Sequence, residues 1–64
     1  MTVILIMRDS DSYVLDRGLY LDEVAKRVNE NRGTGKLVEF ELDLTPTGQK
    51  VWIDCDEVVA VKNR

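Results

Sequence analysis

The chain has 64 residues, of which 44% are hydrophobic, 33% charged and 6% aromatic, a size and balance that describe one domain over residues 1–64 and exclude a two-domain plan and most enzyme architectures. Histidine is absent and Cys55 is the only cysteine, so one chain has no internal disulfide and no Cys/His zinc site, and the sequence implies no cofactor. The net charge of -3 and a pI near 4.7 set up a field that repels phosphate backbones and anionic membrane surfaces, which argues against nucleic acid and membrane as partners.

The run Val3-Ile4-Leu5-Ile6-Met7 is continuously apolar and bounded by polar residues, which predicts a mid-sheet strand covered on both faces. It lacks the basic lead and apolar length of a signal peptide and falls far below the ~20 residues of a bilayer span. Together with the lone thiol this points to a cytoplasmic protein. Asp9-Ser10-Asp11-Ser12 carries side chains that bond nearby backbone N–H groups, so Tyr13-Val14-Leu15 reads as a short hairpin return. The pattern breaks at Asp16-Arg17-Gly18.

Leu21, Val24, Ala25 and Val28 then fall at i, i+3, i+4 and i+7, one stripe of a helix about three turns long. Lys26, Arg27 and Glu30 occupy its other face, Asp22 and Glu23 suit the positive end of the dipole, and Gly33 is placed to take a left-handed C-terminal cap.

From Leu37 to Leu44 the chain alternates: Val38, Phe40, Leu42 and Leu44 point one way, and Glu39, Glu41 and Asp43 the other, as in an antiparallel strand with one wet face. Thr45-Pro46-Thr47-Gly48 reads as a turn, and Lys50 to Cys55 resumes with Val51, Ile53 and Cys55 on one face. For both apolar rows to share a face the loop must hold an even number of residues, because a slip of one turns every side chain over. Four-residue loops starting at Thr45 or at Pro46 satisfy this, and they set Asp54 opposite Glu39 or Glu41. Both send Trp52 outward with Lys50 and Asp54. Val58-Val59-Ala60-Val61 forms a last strand after the bend at Asp56-Glu57. The order β-β-α-β-β-β makes a small α+β domain with one helix packed on a mainly antiparallel sheet of four or five strands.

Trp52 is the most informative residue, because a large indole turned out among carboxylates suits the centre of an interface; the plainer reading is that it covers the stems of its neighbours. Residues 37–57 hold six acids, Glu39, Glu41, Asp43, Asp54, Asp56 and Glu57, against the single base Lys50. Such a face either discourages edge pairing or meets a cationic surface. Two acidic stretches, Asp9 to Ser12 and Asp54 to Glu57, lack the glycine and distal glutamate of a calcium loop and are better explained as turns, so no metal site is expected. The loop Arg32-Gly33-Thr34-Gly35-Lys36 offers backbone N–H groups beside two cations, but its glycines follow a helix, whereas a phosphate loop precedes one. Catalysis would require Cys55 to act without a histidine base from the core face, where thiols are inert.

The segment Lys50-Val51-Trp52-Ile53-Asp54-Cys55-Asp56-Glu57-Val58-Val59-Ala60-Val61, after the turn at Gly48 and the helix Leu-Asp-Glu-Val-Ala-Lys-Arg-Val-Asn at 21–29, resembles short uncharacterised proteins of actinobacteria and their phages, which end in a similar strand, bend and Val-rich strand. The last hairpin is also distantly similar to flagellar FlbD-like small proteins. Neither resemblance implies an activity or a residue role.

A chain of this size buries only about 60% of its unfolded surface, so its core stands near the margin and association is favoured. The expected function is a non-catalytic protein-interaction module that self-associates or meets a basic protein. Trp52 would be its anchor, Glu39, Glu41 and Asp54 the charged surround, and Val58 to Val61 the strand for addition between chains. The alternative is a small-molecule binder that holds a phosphate or nucleotide with Arg32 and Lys36.

Overall fold

The computed structural model describes residues 2–43 and 49–64. In chain order it contains β1 (Val3–Met7), β2 (Ser12–Val14), α1 (Leu21–Glu30), β3 (Leu37–Glu41), β4 (Lys50–Asp54), a 3-10 turn (Cys55–Glu57) and β5 (Val58–Asn63). This is the α+β order expected from the sequence. The sheet, however, is divided: β2-β1-β5 form one antiparallel sheet and β3-β4 a separate antiparallel pair. A bridge between Leu15 and Leu42 ties the two together, with Asp16 N–H donating to Glu41 C=O and Asp43 N–H to Val14 C=O, both at 2.9 Å. The expected turn at Thr45 to Gly48, and Leu44 before it, lie outside the described residues.

β1 is central, as its composition predicts. Val3 and Leu5 are fully buried, while Ile4 and Ile6 lie on the opposite face, half-buried and outside the core cluster. The expectation of cover on both faces is therefore corrected: one face carries the core, and the other stays half-buried. An all-apolar run hides the period of two that would have separated them. The β1–β2 turn forms as its composition suggests. Asp9 Oδ1 accepts from Asp11 N–H at 3.1 Å, and Met7 N–H donates to Asp11 C=O at 2.8 Å, with Ser10 at φ 75°.

α1 buries Val24 and Val28 and half-buries Leu21 and Ala25, the stripe read from the sequence. Its C-terminus differs from expectation. The last turn is closed by Asn31 N–H to Val28 C=O at 3.2 Å and Arg32 N–H to Asn29 C=O at 3.4 Å, while the Asn31 side chain donates to Arg27 C=O at 2.7 Å. Gly33 does adopt the left-handed conformation, with φ 75°, but it lies one residue beyond the position that follows the C-cap Asn31; its N–H donates to Asp56 Oδ1 at 2.9 Å. The glycine bends the chain toward the 3-10 turn.

Between helix and sheets lie Val3, Leu5, Leu15, Val24, Val28, Phe40, Ile53, Cys55 and Val58, each large member contributing about 1.5–3 kcal/mol by burial. The guanidinium of Arg27 sits 5.4 Å from the Phe40 ring centroid and closes the core on that side.

Candidate functional site

The β3–β4 hairpin carries most of the residues singled out by the sequence. Its register pairs Leu37 with Asp54, Val38 with Ile53, Glu39 with Trp52, Phe40 with Val51 and Glu41 with Lys50. The parity argument holds, since Phe40 and Ile53 turn inward and are buried. The pairing itself is two residues away from the nearer expected register: Asp54 opposes Leu37, and neither Glu39 nor Glu41. A shift of two keeps every side chain on its face, so the hydrophobic pattern is blind to it. The like-charge clash expected across the strands is thereby avoided, and Lys50 instead stands opposite one glutamate and beside another.

Trp52 is 60% exposed, and Leu37 on the same face is 57% exposed. Hydrogen-bonded and non-hydrogen-bonded pairs alternate along an antiparallel ladder. Leu42 N–H donates to Gln49 C=O at 2.9 Å, which makes Phe40–Val51 a hydrogen-bonded pair and Glu39–Trp52 a non-hydrogen-bonded one. Glu39 and Trp52 are thus at the closer spacing, about 4.5 Å between Cα atoms. It follows that the backbone N–H and C=O groups of Lys50, Trp52 and Asp54 point away from β3. The far side of β3 is tied to Val14 and Asp16 and β4 pairs only with β3 among the described residues, so these groups line an open edge.

The carboxylates have separate duties. Glu39 Oε1 and Lys50 Nζ form an ion pair at 3.1 Å, and the hydrogen bond and charge of Glu39, with a smaller push from Glu41, hold the Lys50 ammonium above its usual pKa of 10.5. Asp54 Oδ1 accepts from Asp56 N–H at 3.0 Å, capping the 3-10 turn. Glu57 pairs with Arg8 at 3.1 Å, and Asp43 with Arg17 at 3.6 Å. Much of the acidity read as a surface field is therefore consumed locally, and the Trp52 face has one cation, Lys50, set among Glu39, Glu41 and Asp54.

No family model, curated protein or solved structure matches the chain.

The Arg32 to Lys36 loop is built differently from a phosphate cradle. Arg32 donates from Nη1 to Cys55 C=O and from Nη2 to Val58 C=O, both at 2.9 Å, and Gly33 N–H is taken by the Asp56 carboxylate. An incoming anion would compete with two carbonyls for the guanidinium and face a carboxylate at the glycine. Lys36 is exposed, and its own N–H donates to Thr34 Oγ1 at 3.2 Å.

Cys55 is fully buried on the core face, where desolvation raises its thiol pKa above the usual 9.0 despite the nearby Arg32 charge. Among the described residues no group of three or more Cys, Asp or Glu side chains is arranged to hold a metal ion, and no helix is long and apolar enough to cross a membrane.

Two features escaped the sequence reading. Tyr20, just ahead of α1, is 71% exposed beside a depression of about 380 Å³ lined by Arg17, Leu19, Tyr20, Leu21, Asp22 and Asn63; an isolated aromatic before a helix gives no signal for this. Leu37 shares the odd-numbered row of Glu39 and Glu41, so the alternation did contain its outward orientation.

Proposed function

We propose that the chain is a non-catalytic protein-interaction module that associates with copies of itself through the hairpin around Trp52. One observation carries this reading: the single tryptophan of the chain stands 60% exposed in the middle of a strand whose outer edge is open. A tryptophan left in water forgoes the burial that its area would supply, and interface centres are where such residues contribute most. Glu39, Glu41 and Asp54 surround it and discourage indiscriminate docking. A non-catalytic role is supported by the buried, protonated Cys55 thiol, and the lone unpaired cysteine suits a cytoplasmic location. Sedimentation of the wild type and of Trp52→Ala from micromolar to millimolar concentration tests the proposal. Concentration-dependent mass that the substitution abolishes is the expected result. Wild type that stays at 7.3 kDa throughout overturns self-association, and loss of a basic protein partner on the same substitution would redirect the site to that partner.

A further inference from the structure

The edges of β2 and β3 meet at the Leu15–Leu42 bridge, and the other two edges among the described residues, those of β4 and β5, differ. β5 was the strand expected to add to a second copy. In β5, however, Ile6 pairs with Ala60 and Met7 with Val58, so Val59 is the extra residue of a β-bulge, a device that bends an edge and interrupts its ladder. Arg32 also occupies the Val58 carbonyl. β4 has no such protection. It is five residues of regular strand, and among the described residues no backbone hydrogen bond other than the β3 ladder reaches Lys50, Trp52 or Asp54.

We infer that two copies pair antiparallel along β4, about a twofold axis at Trp52, with Lys50 of each chain against Asp54 of the other. The inference rests on the self-association proposed above and names its geometry. Only the even-numbered residues of β4 direct backbone groups to the open edge, so they alone can form hydrogen-bonded pairs across it, and the allowed registers differ by steps of two. Centring the axis on Lys50 sets Lys50 against its own copy, and centring it on Asp54 sets Asp54 against its own copy; both juxtapose like charges. Centring it on Trp52 brings the two indoles together and makes two Lys50–Asp54 pairs, the opposite-charge arrangement that a self-complementary interface requires.

Charge also separates this edge arrangement from face-to-face packing. Stacking two hairpin faces would press Glu39, Glu41 and Asp54 of one copy onto those of the other. Along the β4 edge each copy presents one cation and one anion beside the indole, while the glutamates stay one strand back and Glu39 is already paired with Lys50 at 3.1 Å.

The test uses charge reversal and mixing. Lys50→Asp alone gives two carboxylates at each contact, and Asp54→Lys alone gives two ammonium groups. Each variant is expected to weaken its own dimer about tenfold, whereas an equimolar mixture of the two regains wild-type association, because every contact then joins opposite charges. A mixture no tighter than either variant overturns the register. Asp54→Lys also removes the cap on the 3-10 turn, so a measurement on the wild type stands beside it: the Trp52 amide points to the open edge and should exchange hydrogen more slowly as concentration rises. If the wild type dimerises while the Trp52 amide exchanges at a constant rate, the edge pairing is wrong and self-association stands. A wild type that remains monomeric removes both.

Discussion

The guanidinium of Arg32 reaches the carbonyl oxygen of Val58 at 2.9 Å and holds the start of β5 against the end of α1. Its other nitrogen takes Cys55 C=O at the same distance, so one planar group satisfies the carbonyl of the first residue of the 3-10 turn and that of the residue after it. Charged hydrogen bonds of this kind contribute about 1.5–3 kcal/mol when buried and less when partly wet, so Arg32→Ala should lower the unfolding free energy by about 2 kcal/mol. Arg32→Lys should recover less than half of the loss, because an ammonium lacks the rigid fork. Urea melts read both, and an unchanged midpoint for Arg32→Ala would show that the clamp contributes nothing.

Gly33 makes a narrower prediction. Its φ of 75° lies in the left-handed region, and a Cβ placed there meets nothing within 4 Å. Substitution is therefore limited by backbone conformation and not by space. Gly33→Ala should cost about 1 kcal/mol, and Gly33→Asn less, since asparagine tolerates this region. D-alanine at the same position, introduced by chemical synthesis, should stabilise by up to about 1 kcal/mol by restricting the unfolded chain. The order D-Ala, Gly, Asn, Ala in melting temperature is the outcome to check; Ala and D-Ala of equal stability would rule out the conformational account.

The contrast between these two neighbours shows where sequence reasoning reaches. Gly33 announced a positive φ because only glycine is cheap there, yet what that bend was for depended on Asp56, more than twenty residues away. Arg32 looked like an anion ligand beside a glycine-rich loop, and only the folded chain reveals the carbonyls of Cys55 and Val58 that it serves. Period-based features survived best. The buried Val24 and Val28 and the outward Trp52 each follow from a spacing of 3.6 or 2 that burial enforces, and the central place of β1 follows from its unbroken apolar run. The β3–β4 register was not available by that route, since a shift of two residues preserves every face. The bulge at Val59 was equally hidden, because Val58, Val59 and Val61 are chemically alike and only the pairing of Ile6 with Ala60 and of Met7 with Val58 singles Val59 out.

Trp52 should matter little to the fold of a single chain. Its cross-strand contact with Glu39 is worth a fraction of a kcal/mol, so Trp52→Ala should change the stability of the dilute monomer by less than about 1 kcal/mol. Intrinsic fluorescence provides a second check, since this is the only tryptophan. At low concentration the emission should be red-shifted and readily quenched by acrylamide, as befits a 60% exposed ring. Blue emission with poor quenching in a verified monomer would mean that the indole is covered within its own chain, and the docking surface would be lost.

Cys55 links the core to pH. Burial disfavours the thiolate, so its pKa lies above the usual 9.0 in the folded chain, while in the unfolded chain the thiol titrates near its ordinary value. Below about pH 9 both states keep the proton and stability is independent of this group. Above it the unfolded chain loses its proton first, so the unfolded state binds fewer protons than the native one and stability falls as pH rises, until the folded thiol titrates in turn. Lys50 acts in the same window: its raised pKa means that the pairing with Glu39 is fully present below 10.5 and is lost as pH climbs past the folded value. Cys55→Ala isolates the thiol part, and it should flatten the decline in stability between neutral and strongly alkaline pH even while it lowers stability overall by leaving a small cavity. At neutral pH the wild-type thiol should react with a disulfide reagent only as fast as the chain opens, and urea should accelerate the reaction steeply. Rapid labelling of the native protein without denaturant would show that the thiol is accessible and that its pKa is not held up by the core.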